Sequence, residues 1–220
     1  DQEDLLKTLQ DFGGTISNRK LNNNEEKPYE LNISLYDAFK GTIAHGKDGF
    51  QVERFICAHT ILLALEGIPA FYIHSLLGTE NAHELKEQTG HARSINRYKW
   101  DEKALKEALA TPESHHSKVF KELKRRIEIR KKQIAFNPNA TQYTLNLGNN
   151  FFGIWRQSID RKQSIFAIHN ITNNIQKLHI NKLNILNLES WSDLISENKI
   201  NKKKIFLNFS PYQFMWITND

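Results

Sequence analysis

The fold prediction depends most on one apolar stretch, Gly67-Ile-Pro-Ala-Phe-Tyr-Ile-His74. It follows a helical pattern over 52–66, in which the apolar side chains share one broad face and Gly67 comes directly after the last turn. A short run that is apolar at nearly every position is typical of a strand buried on both faces, as in a parallel sheet. The polar segment 74–96 then leaves the carboxyl end of this strand. Together these features predict an α/β unit with a ligand site in that loop.

The rest of the first half is predicted to be mostly helical. An amphipathic pattern predicts a short helix over 1–12, and a polar stretch rich in turn-forming residues predicts a surface loop over 15–30. Two further helices are predicted over 101–110 and 117–133. The second of these is strongly basic around a narrow apolar stripe.

The pattern changes after Pro138, where short alternating runs replace the helical periodicity. The runs that predict strands are 143–147, 151–155, 164–168, 177–180, 205–209 and 212–217. Gly148-Asn-Asn150 is typical of a hairpin turn between the first two. We therefore expect an α/β part over 1–138, followed by an all-β domain over 139–220 that forms an antiparallel sandwich.

The composition and the net charge indicate which cellular compartment and which binding partners suit this chain. The chain has 220 residues, with 30 Lys and Arg against 25 Asp and Glu, a net charge of +5. This mild excess of positive charge is smaller than that expected of a dedicated nucleic-acid-binding protein. Cys57 is the only cysteine, so no intrachain disulfide can form, which is typical of a reducing compartment. No signal-peptide pattern or membrane-spanning stretch is evident. We expect a soluble, cytoplasmic protein that enters no membrane.

Several kinds of site are not indicated by the residue spacing. The nine histidines show no metal-binding spacing such as His-Glu-x-x-His, and one cysteine cannot build a thiolate site. His115 and His116 precede a helix and are expected to be solvated. Cys57 falls within an apolar helix, where a thiol stays protonated and inert. No nucleophile elbow or glycine-rich phosphate loop is present. We therefore predict no catalytic residue, no metal and no cofactor.

The segment 74–97 is the best candidate for a binding site. Polar side chains beyond the carboxyl end of a strand suit a hydroxyl-rich ligand, and Arg93 offers a planar fork of donors for sugar hydroxyls or phosphate. An arginine that only pins the loop through an ion pair fits the pattern equally well. The basic residues 118–132 present a second, weaker alternative, an anion or nucleic-acid surface.

These motifs resemble a known family. The pattern Gly-x-Pro-x-x-Tyr in 67–72 resembles the last barrel strand of the alpha-amylase superfamily. Leu77-Gly-Thr-Glu-Asn81, Thr89-Gly90 and Arg93-Ser-Ile-Asn-Arg97 are similar to the sucrose phosphorylase branch, which includes relatives acting on glucosylglycerate and glucosylglycerol. Pro28-Tyr-Glu-Leu-Asn32 and Pro211-Tyr-Gln-Phe-Met-Trp216 agree with it. The similarity covers nearly the whole chain.

The resemblance implies the C-terminal part of a (β/α)8 barrel followed by the family's β-domain. Such enzymes are retaining phosphorylases, in which an aspartate nucleophile and a glutamate acid/base about 5 Å apart pass a glucosyl unit to phosphate. Those carboxylates are expected upstream of Asp1. The partners are then phosphate and a small glucoside such as sucrose, glucosylglycerate or glucosylglycerol.

By the same resemblance, Arg93 contacts the glucosyl unit, and Tyr29 and Glu30 face phosphate or the acceptor. Asn81 matches a binding position, but Ala82 stands where the family pattern has aspartate. Because the catalytic carboxylates are expected upstream of Asp1, we expect a fragment that is inactive alone. The alternative is a non-catalytic carbohydrate-binding or self-associating module, in which unpaired strand edges bind a second copy or the upstream half of the barrel.

Overall fold

The computed structural model describes residues 1–22, 24–183, 185, 191–200 and 205–219. Its helices are α1 (Gln2–Asp11), α2 (Leu35–Ala38), α3 (Gln51–Ala64), α4 (Ile73–Leu76), α5 (His83–Thr89), α6 (Glu102–Ala110) and α7 (His115–Lys131). Its strands are β1 (Thr15–Lys20), β2 (Glu26–Asn32), β3 (Gly41–Thr42), β4 (Gly46–Lys47), β5 (Thr141–Leu145), β6 (Phe151–Gln157), β7 (Ser164–Asn170), β8 (Gln176–His179), β9 (Trp191–Asp193), β10 (Phe206–Phe209) and β11 (Phe214–Asn219).

The chain divides into two compact units. The first unit contains Asp1–Val52 and Phe71–Lys121, and the second contains Glu53–Ala70 and Glu122–Asp220. The predicted helices over 1–12, 52–66, 101–110 and 117–133 are confirmed as α1, α3, α6 and α7. Within the described residues, no helix is long and apolar enough to cross a membrane.

The predicted surface loop over 15–30 is wrong, because most of it forms the antiparallel hairpin β1–β2. The turn-forming residues act only at the tip, where Leu21 N–H donates to Glu25 O at 2.8 Å. Pro28 is tolerated in β2 because, within the described part of the chain, β2 has β1 as its one neighbour and is an edge strand; Pro28 pairs with Asn18 where the register shifts. The hairpin therefore holds 26–32 in an extended conformation with defined register.

The predicted buried strand over 68–73 is also wrong. Residues 68–72 belong to no strand, and Ile73 begins the short helix α4. Ile68 is 84% exposed and Ile73 is 54% exposed. A buried parallel strand needs hydrogen-bonded neighbours on both sides, and every strand pair among the described residues is antiparallel. The apolar run thus lacks the partners that its pattern predicts.

The predicted antiparallel strands of the C-terminal half are confirmed. The strands β5, β6, β7, β11 and β9 form a five-stranded antiparallel sheet in that order, and β8 pairs with β10. Side chains of both sheets and of the segments beside them form a hydrophobic core in the second unit: Leu147, Phe166, Ile168, Leu178, Ile180, Leu183, Leu207, Phe209 and Ile217. The structure adds the short strand β9, which the sequence pattern did not reveal.

Two arginines of the basic helix α7 are used inside the second unit. Arg126 is buried, stacks over the Phe214 ring at 4.8 Å and pairs with Glu122. Arg130 is also buried and donates to Leu63 O and Gly67 O. Burial, with the nearby charge of Arg156, lowers the pKa of Arg130 to about 10. These two guanidinium groups therefore serve packing and helix capping.

A buried histidine predicts acid sensitivity of the second unit. His169 is fully buried, and burial lowers its pKa from 6.5 to about 4. Between these values the unfolded chain binds a proton that the folded chain excludes, so the free energy of unfolding falls as the pH drops from 6.5 towards 4. The expected loss is about 3 kcal/mol. Urea titrations at a series of pH values measure it.

The variant His169→Gln isolates this effect, because a glutamine keeps a hydrogen-bond donor but does not titrate. Its unfolding free energy is expected to be much less dependent on pH over the same range. Exposed His45 provides the control, and His45→Gln is expected to keep the full pH dependence. Equal pH dependence in the wild type and His169→Gln would contradict the assignment.

Candidate functional site

Arg93 lies in the first unit, on a 3-10 turn over Ala92–Asn96. Gly90 ends the preceding helix α5 with a φ of +67°, a left-handed conformation that glycine adopts at low cost. On the other side of the turn, Ala82 N–H donates to Ile95 O at 2.6 Å. These local contacts fix the backbone that carries the Arg93 side chain.

The structure brings Arg93 and Glu30 together. Arg93 Nε donates to Glu30 Oε1 at 2.8 Å and to Oε2 at 3.0 Å, although 63 residues separate the two along the chain. The hydrogen bond and the charge of Glu30 raise the pKa of Arg93 above its usual value. Arg93 is nevertheless 58% exposed, and an open depression around the pair is lined by Glu30, His91, Ala92, Arg93 and Arg97.

The contacts of Arg93 bear on both interpretations, the ligand-binding arginine and the arginine that pins the loop. The ion pair pins the loop to strand β2, as the structural alternative predicts. It uses only Nε, however, and within the described residues the two terminal nitrogens of Arg93 make no hydrogen bond. The carboxylate thus fixes the plane of the guanidinium group while its terminal donors stay available.

Tyr29 and Asn81 have different surroundings. Tyr29 lies beside Glu30 on β2 with its side chain 63% exposed. Asn81 is half-buried: its Oδ1 accepts from Ser34 N–H at 2.7 Å, and its N–H donates to Asp37 Oδ2 at 2.9 Å. Asn81 Nδ2 is buried without a partner among the described residues. Asn81 therefore joins the segment between α4 and α5 to helix α2 and its N-cap residue Ser34, and it keeps one unused donor.

Asp37 is a site residue that the sequence pattern did not identify. The exposed fraction of Asp37 is 1%. Asp37 Oδ1 lies 3.1 Å from Lys40 Nζ, and Oδ2 holds the backbone of Asn81. A buried carboxylate with a cation and an N–H partner stabilises the loop that carries Asn81. No local signal reveals it, because Asn81 is 44 residues away.

Ala82 stands where the family resemblance implies an aspartate. Ala82 is buried and occupies the N-cap position of α5, which has no side-chain cap. An aspartate at this position can accept a hydrogen bond from the first turn, and alanine cannot. The chain therefore has neither a carboxylate nor a side-chain helix cap at this position.

His115 and His116 are not solvated, contrary to the expectation from the sequence. Both are half-buried, and each ring contacts a backbone carbonyl: His115 Nε2 lies 3.1 Å from Gly78 O, and His116 Nδ1 lies 2.7 Å from Leu77 O. Burial, followed by the nearby His116, lowers the pKa of His115. The carbonyl partners are 37 and 39 residues away, so only the fold reveals them.

The surroundings of Cys57 agree with the prediction that its thiol is inert. It lies buried in α3, with Sγ 3.7 Å from Asn170 O. Burial raises the pKa of Cys57 to about 12. The thiol therefore stays protonated near neutral pH and does not act as a nucleophile.

Solved structures with a similar fold were found by comparison with this chain. The chain superimposes on the crystal structure of sucrose 6F-phosphate phosphorylase from Thermoanaerobacter thermosaccharolyticum with a TM-score of 0.61, at 18% identity over 77% of this chain and 31% of that one. For AmyP in complex with maltose, the TM-score is 0.65 at 12% identity, over 83% and 37% of the two chains. The structural neighbours are thus members of the alpha-amylase superfamily.

Proteins with similar sequences indicate which branch of the superfamily the chain resembles. No protein-family profile matches the chain. Glucosylglycerate phosphorylase from Escherichia coli K12 is 33% identical over 214 residues, which are 97% of this chain and 36% of that protein. The Allomeiothermus silvanus protein of the same name is 36% identical over 64% of the chain, and sucrose phosphorylase from Agrobacterium vitis is 31% identical over 55%.

The chain is therefore homologous to the C-terminal portion of enzymes in the sucrose phosphorylase branch of the alpha-amylase superfamily, as its motifs predicted. It spans about a third or less of the length of these relatives, between 22% and 36%.

Proposed function

We propose that this chain acts as the C-terminal part of a glucoside phosphorylase, which transfers a glucosyl unit from glucosylglycerate or sucrose to phosphate. In this proposal residues 1–138 complete a (β/α)8 barrel in the cytoplasm, and 139–220 form its β-domain. The support is the homology to proteins named glucosylglycerate phosphorylase and sucrose phosphorylase. The shared chemistry of these ligands is a glucosyl ring with many hydroxyls beside a phosphate anion.

The Arg93–Glu30 pair is the observation that carries the proposal. Two residues that sequence motifs assigned separately to substrate binding are in direct contact across 63 residues. Glu30 orients the guanidinium group through Nε, so its terminal N–H groups can donate to a sugar hydroxyl or a phosphate oxygen as a rigid fork. This arrangement binds and orients a substrate, and it supplies no nucleophile.

Tyr29 and Asn81 extend this binding surface in the proposal. The exposed Tyr29 ring offers an apolar face and a hydroxyl to the acceptor. Asn81 contributes its unused amide donor, held in place by Ser34 and Asp37. Asp37 and Lys40 therefore act through Asn81 as positioning residues.

We further propose that the chain alone does not catalyse the transfer. The two carboxylates that belong to the candidate site are already engaged, since Glu30 pairs with Arg93 and buried Asp37 pairs with Lys40. A retaining mechanism requires a free nucleophile and an acid/base. The purified chain is incubated with phosphate and either glucosylglycerate or sucrose. We expect no glucose 1-phosphate above background, and formation at a normal enzymatic rate would refute this part.

The binding role of Arg93 is tested separately from catalysis. Arg93→Ala is expected to weaken binding of glucose 1-phosphate about tenfold or more, because it removes charge-assisted hydrogen bonds. Glu30→Gln keeps the side-chain shape but loses the ion pair, so a smaller loss is expected. The dissociation constants are measured by titrating each purified variant in two-dimensional NMR spectra.

Arg19→Ala is the matched control for these variants, since Arg19 is an exposed arginine on the neighbouring strand β1. It is expected to bind glucose 1-phosphate like the unmodified chain. Equal affinity of Arg93→Ala and Arg19→Ala would contradict the assignment of Arg93. Failure of the unmodified chain to bind the sugar phosphate would contradict the site as a whole.

A second candidate function is self-association, supported by the exposed apolar segment at 68–73. Ile68, Tyr72 and Ile73 are each more than half exposed, and the segment pairs with no strand among the described residues. Burial of such side chains against a second copy is favourable. Light scattering over a range of protein concentrations distinguishes a self-associating chain from a monomer. A concentration-dependent dimer that Ile68→Asp and Ile73→Asp abolish supports this function, and a monomer at all concentrations rejects it.

A further inference from the structure

Three side chains of the first unit form a cluster that the sugar site does not use. Glu80, His115 and His116 each place one ligand atom within 4.8 Å of the ligand atoms of the other two. Glu80 lies in the segment between α4 and α5, and the two histidines are the first residues of α7. Glu80 is exposed and both histidines are half-buried, so the cluster is open to ions from solvent.

The hydrogen bonds of the two rings define which nitrogens are free. Gly78 O and Leu77 O can only accept, so His115 Nε2 and His116 Nδ1 must each carry the proton. In the neutral rings, His115 Nδ1 and His116 Nε2 then carry lone pairs. Histidines that bind metals commonly donate their other N–H to a backbone carbonyl in this way, which fixes both the tautomer and the ring orientation.

Aromatic contacts hold the same two rings in place. Tyr36 stacks on His115 with centroids 4.7 Å apart and planes at 9°, and Trp100 meets His116 edge-on at 4.9 Å. Trp100 is itself anchored, because its Nε1 donates to Thr79 Oγ1 at 3.0 Å. The imidazoles are therefore oriented before any ligand arrives, which reduces the entropy lost on binding.

We propose that Glu80, His115 and His116 bind a divalent transition-metal ion of the zinc class. Two imidazole nitrogens and one carboxylate oxygen are a donor set that Zn²⁺ accepts, with a fourth position left for water. Bonds of about 2.0 Å in a tetrahedral site bring the ligand atoms to roughly 3.3 Å from one another. Rotation of the exposed Glu80 side chain shortens its distances to the two nitrogens, and small rotations of the half-buried rings bring the nitrogens closer to each other. The proposal does not depend on glucosyl transfer.

Metal binding is tested on the full chain after removal of metals with a chelator. Titration with Zn²⁺ in a calorimeter is expected to give one site. Co²⁺ in place of Zn²⁺ is expected to show visible absorption of a site with nitrogen and oxygen ligands. In long-range ¹H–¹⁵N spectra with Zn²⁺, we expect coordination at His115 Nδ1 and His116 Nε2. Coordination at the opposite nitrogens would overturn the proposed geometry.

Substitutions distinguish this site from adventitious binding. Glu80→Gln and His116→Gln are each expected to weaken Zn²⁺ binding at least tenfold, whereas His45→Ala, at an exposed histidine, leaves it unchanged. Because Glu80 is exposed, Glu80→Gln is expected to fold normally. This variant therefore still tests metal binding if a histidine variant is unstable. Unchanged affinity in Glu80→Gln and His116→Gln, or no binding by the unmodified chain, would overturn the proposal.

Discussion

Replacing Arg156 with alanine is expected to lower the free energy of unfolding by about 4 kcal/mol, because a buried charged donor with several acceptors is lost. Arg156 lies on β6 and is fully buried. Its Nη1 donates to Ala64 O at 3.0 Å, and its Nη2 donates to Asn137 O at 2.8 Å and to Ala140 O at 3.3 Å. The alanine leaves these carbonyls without that donor and opens a cavity.

The effect of Arg156 has a clear structural origin. The last carbonyls of an α-helix have no partner within the helix, and a cation at this end is favourable. Ala64 is the last residue of α3, so Arg156 stabilises the C-terminal end of that helix. Arg130 supports the same end through Leu63 O and Gly67 O. Together the two arginines hold the turn that precedes the exposed segment 68–73.

The measurement is thermal unfolding, where this loss corresponds to a decrease of about 10 °C in Tm. Arg156→Lys keeps the charge and the alkyl chain but cannot donate as a planar fork, so an intermediate decrease is expected. Arg19→Ala removes an exposed arginine and is expected to leave the Tm nearly unchanged. If Arg156→Ala unfolds at the temperature of Arg19→Ala, these hydrogen bonds do not contribute as described.

Gly41→Ala is the second substitution with a large expected effect, about 3 kcal/mol or more. A Cβ atom at Gly41 would stand 1.7 Å from Gly46 O and 2.4 Å from Gly46 C. Both are backbone atoms of the paired strand β4, so the clash cannot be relieved by rotating a side chain. The hairpin β3–β4 has to separate for the methyl group to fit.

This hairpin is connected to the candidate site. Lys40, the residue before Gly41, pairs with buried Asp37, and Asp37 holds the backbone of Asn81. Lys40 O also accepts from Asp48 N–H at 3.0 Å, beside strand β4. We therefore expect Gly41→Ala to shift the NMR signals of Asn81 as well as to lower the stability.

Two neighbouring glycines provide graded controls. Gly49 has open space at its Cβ position and no left-handed φ, so Gly49→Ala is expected to be neutral or slightly stabilising. Gly46 also has open space but a φ of +66°, so Gly46→Ala is expected to cost about 1 kcal/mol. The expected order of destabilisation is Gly41, then Gly46, then Gly49, measured by urea unfolding. A Gly41→Ala variant as stable as Gly49→Ala would contradict the clash.

Local patterns in the sequence predicted much of the secondary structure. The helix over 52–66 appears as Gln51–Ala64, and the run 164–168 lies within Ser164–Asn170. Gly67 has the positive φ expected after a helix. These predictions depend on side-chain periodicity and turn-forming residues, which act over a few positions along the chain.

Other features were misjudged because their partners are distant. The hairpin β1–β2 was predicted as a loop, since its polar side chains give no buried alternation, and cross-strand pairing alone defines it. The run 68–73 has the composition of a buried strand, yet no parallel neighbour exists among the described residues. Composition indicates what a segment can form, and available partners decide whether it does so.

The sequence by itself determined the helices α1, α3, α6 and α7, the antiparallel character of the C-terminal half and the resemblance to glucosyl-transferring phosphorylases. Tertiary structure alone decided which distant residues meet: Arg93 with Glu30, Asp37 with the backbone of Asn81, and the two histidines with Glu80. The physical reason is that periodicity is a property of adjacent residues. Ion pairs and ligand clusters instead require backbone segments that lie tens of residues apart to be packed within a few ångströms of each other.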